Sequence, residues 1–210
     1  MNTKNKTNEQ KELSFIEKAR RTQIVKCTIE TISELGYAQA SLGQIAKRAN
    51  ISKGIISYHF ANKEEILEQV VVEYYLACQS FINPQLETET SARGKLIKYI
   101  ESNLKFVNEN RKHVFAVIEI VSNERTEDGK LRFAAEHDDT IFLPIENILR
   151  MGMTEGTFRE FSSQSARVMA LTIRNAIDGF SIELMRNPQL IVKDYIIELI
   201  TIFDRATQKI

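Results

Sequence analysis

The nineteen residues from Leu42 to Phe60, LGQIAKRANISKGIISYHF, constrain the fold more than any other part of this chain. Leu42, Ile45, Ala46 and Ala49 recur at spacings of three and four, which gives a short helix one apolar face. Ala46 is small where a second helix must cross closely. Asn50 then interrupts the pattern, and asparagine tolerates a left-handed backbone better than most non-glycine residues. Ile51 turns back toward the core, and Ser52 is a natural N-cap for a helix starting at Lys53. Ile56 and Phe60, four apart, point that second helix inward and leave Lys53, Gly54, Ser57, Tyr58 and His59 facing out. Two short helices around a tight turn predict a helix-turn-helix.

The outward residues suit DNA. A helix N-terminus favours a phosphate through its free N–H groups. Gly54 permits close approach of the backbone, while Tyr58 and His59 offer donors to phosphate oxygens or an apolar face to a thymine methyl. Lys63 adds a cation after Asn62. The same residues also fit an ordinary helical hairpin with a polar outer face.

The flanking residues decide between these. Arg21-x-x-Ile24, Cys27-Thr28, Ile32, Leu35-Gly36-Tyr37, Ala40-Ser41, Ile45-Ala46, Ala49 to Gly54, Tyr58-His59-Phe60 and Asn62 to Leu67 follow in order without insertion. From Arg20 to Leu67 the chain resembles the tetracycline-repressor (TetR) family of transcriptional regulators. Two positions depart from the family pattern. Asn50 replaces the usual turn glycine, and Ser57 stands where the family usually has a phosphate-contacting tyrosine. The resemblance implies phosphate contacts from Ser41, Lys53, Ser57, Tyr58, His59 and Lys63. It places Gly54, Ile55 and Gln44 at base edges, with Tyr58 compensating for the short Ser57 hydroxyl.

The zero net charge conceals a division. Residues 1–63 hold 11 Lys and Arg against 5 Glu, and the remaining 147 hold 17 basic against 23 acidic side chains. The positive end therefore coincides with the helix-turn-helix, where a phosphate backbone would lie. Lys4, Lys6 and Lys11 sit in a polar tail that either brushes DNA or is simply solvated. No apolar run approaches the roughly 18–20 residues of a membrane span. MNTKNKTNEQKE lacks the apolar segment of a signal peptide, so a cytoplasmic protein is expected. Cys27 and Cys78 lie in helical patterns and read as small packed hydrophobes.

Beyond Phe60 the periodicity is helical throughout. Helices are expected at Lys63–Phe81, ended by Asn83-Pro84, then at Ser91–Asn108 and Arg111–Asn123. After an Asp128-Gly129 turn, a long helical pattern runs from Leu131 to Met151, and Pro144 should kink that helix or mark a break. Gly152 and Gly156 bracket a loop before helices at Ser163–Arg186 and Pro188–Gln208. Both final helices are apolar on more than one face, which implies either deep burial or a second partner. The resemblance favours a two-fold homodimer through about 163–208, presenting two recognition helices to a palindromic double-stranded operator.

The family binds small molecules among its middle helices. By resemblance, an unknown effector would lie among Tyr99, Phe106, Phe115, Ile118, Phe142 and Met151, with Arg174 or Asn175 as polar partners. Glu119 and Glu183 are the candidates for a cationic ligand. His113, beside Arg111-Lys112 at a helix start, reads as exposed. Glu136-His137-Asp138-Asp139 mimics metal ligands, but adjacent helical residues do not share a face, so no metal is expected. Phosphate-binding glycine loops, nucleophile elbows and zinc spacings are lacking, which argues against an enzyme or a cofactor.

The expected architecture is all-α, with about nine helices. A flexible polar tail (1–12) precedes a three-helix helix-turn-helix DNA-binding domain (13–62) and a larger ligand-binding and dimerisation domain (63–210). The expected function is a homodimeric regulator, a repressor released from its operator by a small molecule. The rival is a helical ligand- or partner-binding module whose helix-turn-helix no longer binds DNA specifically.

Overall fold

Caps written into the sequence start most of the helices. The computed structural model describes residues 14–133 and 139–209. Its helices are α1 (Phe15–Leu35), α2 (Leu42–Ala49), α3 (Lys53–His59), α4 (Lys63–Glu87), α5 (Ala92–Glu109), α6 (Arg111–Asn123), α7 (Leu143–Glu155), α8 (Ser163–Arg186) and α9 (Val192–Thr207). Short 3-10 turns occupy Tyr37–Gln39 and Asp139–Phe142. The polar tail and the run Glu136-His137-Asp138 lie outside the described residues. The side chains of Ser14, Ser41, Ser52, Asn62, Ser91 and Ser162 each accept a first-turn backbone N–H, satisfying donors that a helix start leaves without partners. Ser14 and Glu17 complete a reciprocal capping box.

Helix α5 is the axis of the larger part and touches α4, α7, α8 and α9. Leu96, Ile100 and Leu104 are essentially inaccessible to solvent. Helix α6 packs on α1 and α4, so one continuous cluster of buried apolar side chains runs from Ile24 to Phe203. Among the described residues there is no strand, only the isolated bridges Arg125–Leu131 and Phe158–Gln208. None of their helices is long and apolar enough to cross a membrane.

Four boundaries differ from expectation, each for a local reason. Helix α4 continues through Asn83-Pro84 to Glu87. Pro84 lies in the last turns, where its fixed φ is already helical and only one backbone bond is lost. Ile82 is buried, and Gln85 Nε2 donates to the Phe81 carbonyl at 3.0 Å. The expected long helix from Leu131 does not form, because residues 125–131 make a closed turn around Gly129, whose φ is +81°. Pro144 sits in the first turn of α7, where a missing N–H costs nothing, so of the two expected outcomes it marks a break and not a kink.

Gly152 belongs to α7 rather than to a loop, and left-handed Gly156 ends that helix. The Phe158 ring folds back over Gly152, whose carbonyl accepts the N–H groups of Thr157 and Phe158 at 3.0 Å each. Pro188 lies outside α9, which begins at Val192 after a turn closed by the Leu190 N–H on the Asn187 carbonyl.

A Cβ at position 152 would overlap the Phe158 ring. Gly152→Ala should therefore lower stability by about 1–3 kcal/mol, read as an earlier urea midpoint at unchanged slope.

Candidate nucleic-acid interface

The turn between α2 and α3 takes the backbone its sequence calls for. Asn50 has φ 52° and ψ 46°, the left-handed region, and is the one non-glycine residue with positive φ among those described. Its N–H and that of Ile51 close onto carbonyls at the end of α2. Ser52 Oγ accepts the Ile55 N–H at 3.3 Å and starts α3. Ile45, Ile56 and Phe60 are buried, as their spacing requires.

Helix α1 holds this pair from behind. Gln23 Nε2 donates to the Ala49 carbonyl at 3.0 Å, which secures the end of α2. The Arg21 guanidinium donates to the His59 carbonyl at the end of α3 and pairs with Glu65 of α4 at 2.9 Å. It also lies over the Phe60 ring, with Cζ 3.9 Å from its centre. Glu65 in turn accepts the Ala61 N–H at 2.7 Å, and burial is outweighed by this bond and Arg21 in lowering its pKa. Arg21 entered the sequence reading only as a motif position, since contacts 38 and 44 residues away leave no local pattern.

What remains outside α3 is an exposed surface. Tyr58 is 75% accessible and Ile55 38%, with Lys53, Gly54 and Ser57 also exposed and His59 half-buried. The rings of Tyr58 and His59 meet edge to face at 5.0 Å. Lys53 reaches back over α2, where a Cβ on Gly43 would come 3.0 Å from its Cε. Gly43, unremarked in the sequence, thus leaves room for the Lys53 stem. Ser41 caps α2 by accepting the Gln44 N–H at 3.3 Å, and both side chains remain exposed. Lys63 is half-buried, with its ammonium 4.7 Å from the centre of the Tyr37 ring.

The residues expected to line an effector pocket separate into a cluster and a remainder. Tyr99 is buried near Arg174, which α8 sends toward Tyr74, Tyr75 and Cys78 of α4, and Phe106 is buried as well. Phe106 stacks obliquely on Tyr74 at 5.5 Å and on Phe81 at 5.6 Å. Burial works against the charge on Arg174, but Asp178 at 2.8 Å more than restores it and the guanidinium pKa is raised. Burial pushes the Cys78 thiol up to about 11, so it is a packed group and not a reactive one.

Phe115 lies elsewhere, in a cleft of about 250 Å³ with Ser33, Val107, Arg111 and Met185. Ile118 and Met151 are half-buried against the core, and Phe142 lies under the Arg167 guanidinium. Asn175 is exposed, because one residue beyond Arg174 turns about 100° round the helix. His113 is not exposed: it stacks on Tyr74 and its Nε2 lies 2.9 Å from the Val70 carbonyl, with burial lowering its pKa. Glu119 is occupied by the Tyr37 backbone N–H at 3.0 Å.

The two final helices keep one apolar stripe inside and one outside. Ile173, Ile177, Phe180, Ile196, Leu199 and Phe203 are buried, whereas Val168, Leu171, Ile182, Ile197 and Ile202 are 42–58% accessible.

Residues 24–70 match the family model described as bacterial regulatory proteins, tetR family. Over that stretch the chain is similar to the TetR family. The match lies in its N-terminal domain. It is 35% identical over 85 residues to the HTH-type transcriptional regulator BetI of Yersinia pestis, covering 36% of this chain and 43% of that protein. The chain thus aligns with less than half the length of that relative. A TetR-like transcriptional regulator from Rhodococcus sp. RHA1 shares its fold at TM-score 0.72 and 17% identity, covering 93% of this chain and 98% of that one. FadR of Bacillus subtilis, solved in complex with stearoyl-CoA, does so at TM-score 0.72 and 20% identity, covering 87% and 96%. At those identities the likeness is one of fold.

Asn50→Val would force a β-branched residue into the left-handed region and should cost about 1–2 kcal/mol of stability. Asn50→Gly should be tolerated. Urea unfolding of both variants checks the pair.

Proposed function

We propose that this chain is a cytoplasmic, homodimeric DNA-binding transcription regulator, a repressor released from a palindromic operator by a small molecule. The observation that carries the reading is the exposed face of α3, held by Arg21 and opened by the left-handed Asn50. Lys53, Ser57, Tyr58, His59, Ser41 and Lys63 are assigned to phosphates. Gly54, Ile55 and Gln44 are assigned to base edges in the major groove. The accessible Tyr58 supports its taking the phosphate contact that Ser57 is too short to make well.

The outer stripe of α8 and α9 supports self-association. An isolated domain has no use for Val168, Leu171, Ile182, Ile197 and Ile202 in water, while a second copy would cover them in a four-helix bundle. Such a dimer presents two α3 helices to half-sites about 34–36 Å apart.

The effector is assigned to the cluster at Arg174. A guanidinium largely withdrawn from water beside Tyr75, Tyr99 and Cys78 favours an anionic group on an apolar body. The stearoyl-CoA held by FadR, a neighbour in fold, is a ligand of that kind and supports the assignment.

A mobility shift with the DNA upstream of the protein's own coding region tests the reading. Binding that is specific and weakens with salt is expected. Salt-sensitive but sequence-indifferent binding, or none, would favour a ligand- or partner-binding module instead. Lys63→Ala should weaken binding to all duplexes and reduce the slope of log affinity against log salt by about 0.9. Tyr58→Ala should weaken operator binding while sedimentation still shows dimers.

A further inference from the structure

Tyr37 follows the Gly36 that ends α1 and lies four residues before Ser41, the cap of α2. Nothing in its own segment explains how firmly it is held. Its backbone N–H donates to Glu119 Oε2 of α6 at 3.0 Å, and its hydroxyl donates to the carboxylate of Glu124, the residue that ends α6. Glu124 is only 4% accessible. Burial, then the bond to Glu124, pushes the phenol up to about 12. The Lys63 ammonium stands over the ring, 4.7 Å from its centre.

An aromatic ring is thus tied through two bonds to a helix of the larger part and carries a cation on its face. That cation belongs to the residue at the start of α4 assigned above to a DNA phosphate. A free lysine side chain samples many rotamers, and fixing one on DNA costs entropy. A ring that already holds the ammonium at the DNA-facing edge reduces that cost. The carboxylates make the ring's position depend on α6, because both bonds must move if that helix moves.

We propose that Tyr37 is a positioning residue for DNA contact: it sets the Lys63 ammonium for a backbone phosphate and ties that setting to α6 through Glu119 and Glu124. The proposal rests on the reading of α3 and Lys63 as a DNA surface. It adds a residue that touches no DNA itself, and a route by which the body of the protein reaches a phosphate contact.

The test is a double-substitution cycle on the 210-residue chain, using a duplex of generic sequence about 30 base pairs long at several salt concentrations. Tyr37→Leu removes the ring and should weaken binding about two- to fivefold, the scale of an exposed cation–π contact. The same change made in Lys63→Ala protein should have no effect, because there is no ammonium left to position. Equal losses in the two backgrounds would overturn the proposal in favour of a purely structural tyrosine, as would no loss in the native background.

If circular dichroism shows that Tyr37→Leu does not fold, Tyr37→Phe takes its place. It keeps the ring and releases the bond to Glu124, and should weaken binding only when Lys63 is present. Wild-type protein that binds the duplex without any such coupling refutes the role of Tyr37 alone. Wild-type protein that binds no duplex at all refutes the DNA reading and the proposal with it.

Discussion

The Arg21 guanidinium organises the helix-turn-helix end of the chain. One planar cation meets three elements at once: the His59 carbonyl at the end of α3, the Glu65 carboxylate in the first turn of α4, and the face of the Phe60 ring between them. A fork of fixed donors suits this task, whereas a lysine could satisfy one partner at a time. With Gln23 holding the end of α2, the long α1 becomes the support on which both short helices are set. Seven residues of α3 would not remain helical alone. Their order is supplied by a cap at one end, Arg21 at the other, and the burial of Ile56 and Phe60 between.

From that support the same logic extends outward. Helix α1 packs on α6, and α6 returns two carboxylates to Tyr37 at the edge of the proposed DNA surface. The larger part is therefore joined to the smaller by polar bonds as well as by the shared apolar core. Arg174 is another cation drawn inside, paired with a half-exposed Asp178 and facing the buried side chains of α4 and α5.

The parts legible beforehand are those governed by neighbours in the chain. The turn at Asn50, the cap at Ser52 and the inward pair Ile56 and Phe60 follow from three- and four-residue spacing, and they appear as read. Helices α6 and α8 begin and end at their expected residues. Prolines were the weakest guide. Pro84 reads as a stop yet lies within α4, while Pro144, readable as a kink or a break, marks the start of α7. The difference is whether the missing N–H would have had a partner, which depends on where a helix begins and not on the proline.

By itself, the sequence determined the helical class, the helix-turn-helix and the side chains it turns outward, because each depends on contacts within a few residues. Tertiary structure alone decided how the remaining polar groups are used. Glu119 and Glu124 reach Tyr37 across separations of 82 and 87 residues, and His113 is drawn into the core beside Tyr74. Only packing could choose which apolar stripe of α8 and α9 is covered and which stays bare. Periodicity tells how many faces of a helix are apolar, but the neighbour that covers each face comes from elsewhere in the chain.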